Sequence, residues 1–164
     1  MNMLGPNLVL YEEEFERISA ILGRLWVDAN AKIVFLVDKN GQQIAAKGNL
    51  EQVDATSLAS LTAGNVAATD GLARLIGEKE FSILFHEGER DNIHISIVGQ
   101  RLILVLIFDE RSSLGLVRLR VRKAAAELEE VLNQMASKTV SEGEGQASPF
   151  AEITDDDIDA LFSE

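Results

Sequence analysis

Apolar positions along this chain switch between a spacing of three to four residues and a spacing of two, and the switches mark its elements. Behind the acidic run Glu12 to Glu14, the residues Phe15, Ile18, Ile21, Leu22 and Leu25 recur at helical spacing, and carboxylates suit the positive end of a helix dipole. A first helix is predicted, ending near Asp28. Lys32 to Asp38 reads KIVFLVD, a β-branched run bounded by Asp38-Lys39-Asn40-Gly41, after which QQIAAKG resumes. Asn-Gly between two extended runs predicts a hairpin with a type I′ turn, in which both central positions take positive φ.

A second helix is predicted between Thr56 and Arg74, and it is apolar on too many sides. Leu58, Leu61, Leu72 and Leu75 fill one sector; Ala59, Ala63, Ala67 and Gly71, spaced four apart, fill the next; Asp70 is the only charge between the ends. A surface helix of a monomer needs one apolar stripe, so a second smooth one points to a surface reserved for another chain, or else to a helix buried in a single core. Gly77 ends the helix where a left-handed cap favours glycine.

Three further strands are legible: EFSILFHE (80–87), NIHISIVG (92–99) with Ile93, Ile95 and Ile97 alternating, and RLILVLIFD (101–109). The alternation predicts one partly covered face, and the continuous apolar run predicts a central strand covered on both. Ser112 or Ser113 caps a long last helix whose inner face is Leu116, Leu119, Ala126, Leu128, Val131 and Leu132, ending near Ala136. The order is α-β-β-α-β-β-β-α, an α+β domain over 11–136 behind an N-terminal extension, 1–10.

Residues 137–149 collect Ser, Gly and Glu without apolar periodicity and read as a flexible linker. Residues 150–164 form an acidic amphipathic motif with its own start signal. Thr154 stands as N-cap, Asp157 at N3, and Ile153 and Ile158 as a hydrophobic staple, with Ile158, Leu161 and Phe162 along one edge. So short a helix is marginal alone and gains order by docking into a groove.

Charge narrows the function. The net charge is −12, and residues 137–164 hold eight acids against one Lys, leaving −5 for the rest; no basic excess supports nucleic-acid binding. No apolar run approaches the ~20 residues of a membrane span, and the first residues lack the basic start and cleavage site of a signal peptide. With no Cys there is no disulfide, thiol catalysis or Cys-based zinc site, in keeping with a reducing cytoplasm.

Catalytic and cofactor motifs do not emerge: neither G-x-x-x-x-G-K-[ST] nor G-x-G-x-x-G occurs, and nothing resembles a nucleophile elbow. No cofactor is expected. His86 and His94 lie on adjacent predicted strands, but their spacing matches no standard metal pattern, and they read as polar residues of an exposed strand face. The cations Arg118, Arg120, Arg122 and Lys123 precede Glu127, Glu129 and Glu130 on the last helix, against its dipole. The expected compensation is the first helix alongside, with Glu12, Glu13, Glu14 and Glu16; the alternative is a dock for an acidic segment such as Asp155 to Asp159.

The element order, SLASLTAGNVAA on the second helix, the FHEG strand end, the FDERSSLGLVRLR junction and the tail PFAEITDDDIDALF together resemble the Roadblock/dynein light chain family. The resemblance implies a sandwich with a five-stranded antiparallel sheet in order 2-1-5-4-3 and helices on both faces. It also implies a cytoplasmic homodimer that pairs third strands and second helices, with Gly64, Ala68, Phe81, Ile83 and Phe85 in the interface. The activity implied is activation of GTP hydrolysis by a bacterial Ras-like small GTPase in its GTP-bound form, two copies of this chain embracing one GTPase, in the service of cell polarity, motility and placement at a cell pole. The GTPase-binding patch then falls on Ala59, Ala63, Ala67, Asp70, Gly71 and Arg74, and Ile158, Leu161 and Phe162 anchor a second contact that tunes affinity or nucleotide exchange. On that reading Ala63→Arg or Ala67→Arg abolishes binding without unfolding the dimer. The competing expectation is a passive dimeric scaffold that tethers a GTPase or motility complex.

Overall fold

The structure is a computed structural model that describes residues 2–3 and 9–145. Its elements follow the predicted order: α1 (Glu12–Asp28), β1 (Ile33–Asp38), β2 (Gln43–Gly48), α2 (Ala55–Leu75), β3 (Ile83–Glu87), β4 (Asn92–Val98), β5 (Leu102–Phe108) and α3 (Leu114–Gly145). A short 3-10 turn, Leu50–Gln52, leads into α2, and Asn2–Met3 pairs antiparallel with Val9–Leu10 ahead of α1. The sheet is antiparallel throughout, in order 2-1-5-4-3.

Every residue of β5 is buried, as its unbroken apolar run requires of a strand covered on both faces. Leu102, Leu104, Leu106 and Phe108 join α1 and α3 in the larger core, while Ile103, Val105 and Ile107 join α2 in the smaller. Alternation of side chains across one strand thereby splits the interior into two layers.

The hairpin between β1 and β2 forms, but not with the predicted turn. Among turn residues 39–42 only Gly41 takes positive φ, at +90°, so the turn lacks two successive left-handed residues. Asp38 organises the turn instead, its Oδ1 accepting from the Asn40 and Gln42 amides at 2.9 Å each, and the register shifts between Leu36 and Val37. This is a three-residue loop with a bulge at glycine, which an aspartate able to bond the backbone beyond it stabilises over the two-residue alternative.

The α2 helix starts at an Asp54 cap, whose carboxylate accepts from the Ser57 amide at 3.1 Å and its hydroxyl at 2.7 Å. It ends in a Schellman arrangement: Gly77, at φ +82°, donates to the Arg74 carbonyl, and the Glu78 amide reaches back to the Ala73 carbonyl at 2.8 Å. Of the two candidate caps of α3, Ser113 acts, its Oγ accepting from the Leu116 amide, while the Ser112 hydroxyl donates to the Ala29 carbonyl.

Two expectations need correction. The α3 helix does not stop near Ala136; it continues to Gly145 and takes in much of the stretch read as a linker. Met135 is buried, and the Lys138 ammonium reaches Glu14 at 3.1 Å and Glu13 at 3.7 Å on α1. These contacts hold the helix on past its last apolar turn, where local composition suggested release. The third strand is also shorter than its pattern, starting at Ile83 and leaving Phe81 outside it. The acidic motif 150–164 lies outside the described residues.

Candidate binding surface

Helix α2 lies across the sheet on the side of the smaller core, and its orientation inverts the expected roles of its two stripes. Ala59 is 1% exposed and Ala63 8%, both packed with Phe35, Ile95 and Val105. Leu61, Leu72 and Leu75 are instead 72%, 60% and 83% exposed. The small residues face inward because the hairpin comes close: a Cβ at Gly41 would stand 3.2 Å from the Ser60 Cα and 3.6 Å from the Ala63 Cβ. A larger side chain at Ala63 would meet that loop, so Ala59 and Ala63 are core residues here and not open parts of a GTPase-binding patch.

The rest of the predicted patch remains accessible. Ala67 and Arg74 are exposed, Asp70 and Gly71 half-buried, and a Cβ at Gly71 would touch nothing within 4 Å. The same holds at Gly64. Glycine inside a helix costs about 0.5–1 kcal/mol relative to alanine, and no neighbour in the chain requires it at either position. The apolar flank opposite, with Leu61, Gly64, Ala68, Leu72 and Leu75, lies on the side of α2 from which Asn65 reaches His86 of β3 at 3.1 Å.

Strand β3 is one of the sheet's two outer strands, bonded only to β4 among the described residues. Of its predicted interface residues, Ile83 is exposed, whereas Phe85 is half-buried and stacks on Phe108 of the core at 6.2 Å, and Phe81 is half-buried ahead of the strand. An apolar strand edge beside exposed leucines is a surface that soluble proteins ordinarily cover.

The two histidines do not share a face. His86 is exposed on the α2 side, while His94 is buried on the α3 side, contrary to the reading of both as exposed. Among the described residues no cluster of three or more His, Cys, Asp or Glu could hold a metal ion. No described helix is long and apolar enough to cross a membrane. The ion pairs also differ from expectation: α1 lies along α3, but its acids meet Lys138, and Arg24 meets Glu127 at 2.7 Å. None of Arg118, Arg120, Arg122 and Lys123 has an ion-pair partner among the described residues.

Together α2 and β3 present an exposed apolar surface on a three-layer α+β sandwich, with α2 on one face of the sheet and α1 and α3 on the other. The chain belongs to the Roadblock/LC7 family, whose domain matches residues 18–108. Among solved structures it is similar to Myxococcus xanthus MglB, with 60% identity over 78% of this chain and 96% of that one at a TM-score of 0.74. It is also similar to the gliding protein MglB of Thermus thermophilus, with 36% identity over 79% and 98% of the two chains and the same TM-score. An MglB described in a tetrameric arrangement shares 35% identity over 82% and 98% at a TM-score of 0.73. No curated protein matches the chain.

Proposed function

We propose that this protein is a GTPase-activating partner of an MglA-like, Ras-family GTPase, binding the GTP-bound form as a homodimer with two copies per GTPase, and that it serves cell polarity and motility. The observation that carries this reading is the 60% identity to M. xanthus MglB across nearly all of that chain. Two features of α2 support it. The leucine flank and the open edge of β3 suit pairing with a second copy, which would join two sheets into one of ten strands. The other flank, Ala67, Gly71 and Arg74 with Asp70 beside them, is smooth enough for a rigid switch region to approach the helix closely, and Ala59 and Ala63 support it from beneath.

Activation without a donated catalytic group fits that surface better than an arginine finger. Arg74 and Arg111 are the arginines that could serve as a finger, and Arg111 is tied to Asp109 through contacts of 3.0–3.2 Å, bonds that hold the Asp109 carboxyl below the usual carboxylate range. A smooth surface works by holding the partner's own switch loops in their reactive arrangement. In this reading Ile158, Leu161 and Phe162 supply a second contact.

The test is phosphate release by a GTP-loaded MglA-like GTPase with and without this protein. Acceleration is expected; binding with an unchanged rate would establish the scaffold reading in its place.

A further inference from the structure

We propose that the cleft between α3 and strands β3 and β4 receives an acidic peptide, and that its occupant is the chain's own C-terminal segment, residues 154–162. One wall of this cleft is Ile83, His94 and Ser96, and the other presents Arg118, Val121 and Arg122. His94 is 1% exposed and Ser96 6%, yet among the described residues neither imidazole nitrogen nor the hydroxyl has a hydrogen-bond partner. Buried polar groups are almost always paired, so two side by side in a cleft wall mark a place that something else completes. Burial, and then the charge of Arg118, pushes the His94 pKa down, keeping the ring neutral with one N–H to donate. That N–H, the Ser96 hydroxyl and two unpaired guanidinium groups offer donors suited to carboxylates.

The occupant is chosen by charge and reach. The chain is strongly acidic overall, yet Arg118 and Arg122 find no carboxylate among the described residues. Residues 154–162 read TDDDIDALF, four carboxylates with Ile158, Leu161 and Phe162 for the apolar parts of the cleft, Ile83, Val121 and Ala125. From Gly145 back to Arg122 along α3 is ~35 Å, and an extended chain from 146 to Asp157 covers ~40 Å. The cleft continues along α3 past Glu129 to Asn133 and Ala136, giving the returning chain a path. That end is lined by Glu80 and Glu129 as well as Arg101, so the excess of positive charge lies with Arg118 and Arg122.

The proposal does not rest on the GTPase reading and is tested on the full chain without a partner. Because the chain has no Cys, spin labels can be placed by Glu130→Cys, beside the cleft, and Ser163→Cys, with doubly labelled chains diluted into excess unlabelled protein. One narrow distance population is expected. Arg118→Glu with Arg122→Glu should disperse it, and so should Asp155→Asn, Asp156→Asn, Asp157→Asn and Asp159→Asn made together, which alter no described residue. A dispersed distribution in the parent protein, or a narrow one that survives either charge change, would overturn the proposal. So would a narrow distance seen only between labels on different chains, which assigns the cleft to a second copy's segment. Unchanged melting temperature of the arginine variants shows that the comparison is between folded proteins.

Discussion

Small residues on one helix can be small for opposite reasons, and α2 holds both kinds. Ala63 is small because the β1–β2 hairpin and the sheet lie against it, whereas a Cβ at Gly64 or Gly71 would meet nothing within 4 Å among the described residues. Gly71→Ala should therefore raise stability by about 0.5–1 kcal/mol in denaturant unfolding while weakening GTPase binding if a partner seats there. Ala67→Arg should abolish that binding with the fold intact, as measured by pull-down and melting temperature. Ala63→Arg should lower the melting temperature as well, so it no longer serves as a clean test of the patch. His94 gives a second residue-scale expectation. Its folded pKa lies below the unfolded value near 6.5, so at acid pH the unfolded state binds the extra proton. Stability should thus fall as pH drops below 6.5, where the unfolded state takes up the proton first, and His94→Leu should flatten that dependence. Melting curves between pH 7.5 and 5.5 read both effects.

Elements were legible wherever one local signal sufficed. A period-two run placed β4, an unbroken apolar run placed β5, a serine placed the start of α3, and Gly77 placed the end of α2, because capping and pleat are decided within a few residues. The sequence was less informative about α2's orientation. Two apolar stripes on one helix are equivalent locally, and which turns inward depends on how closely the hairpin and sheet approach. The end of α3 was hidden for a similar reason: Lys138 is held by Glu13 and Glu14, more than a hundred positions earlier in the chain. The leucine stripe on α2 carries the prediction proper to this scale. If the proposed dimer pairs through α2, Leu72→Glu, at a position 60% exposed, should leave the fold in place and give a monomer in mass determination; an unchanged dimer would move the interface elsewhere.

For the whole molecule, the placement of charge and the choice of mechanism go together. A chain without catalytic motifs can still change a reaction rate by holding another protein's machinery, and in the proposed reading α2 is the face that does so. If no arginine finger is donated, Arg74→Ala and Arg111→Ala should each lower stimulated phosphate release at most several-fold. A loss on the order of 10³–10⁵, the worth of a missing finger, would show that one of them enters the partner's active site.

From sequence alone came the element order, the central position of β5, the family and the absence of nucleotide-binding loops, since each is written in local periodicity, caps or contiguous motifs. Tertiary structure alone decided which side of α2 is sealed, that the two histidines part to opposite faces, and that Arg118 and Arg122 have no carboxylate partner among the described residues. Those outcomes depend on distances between segments far apart in the chain, which no local pattern encodes.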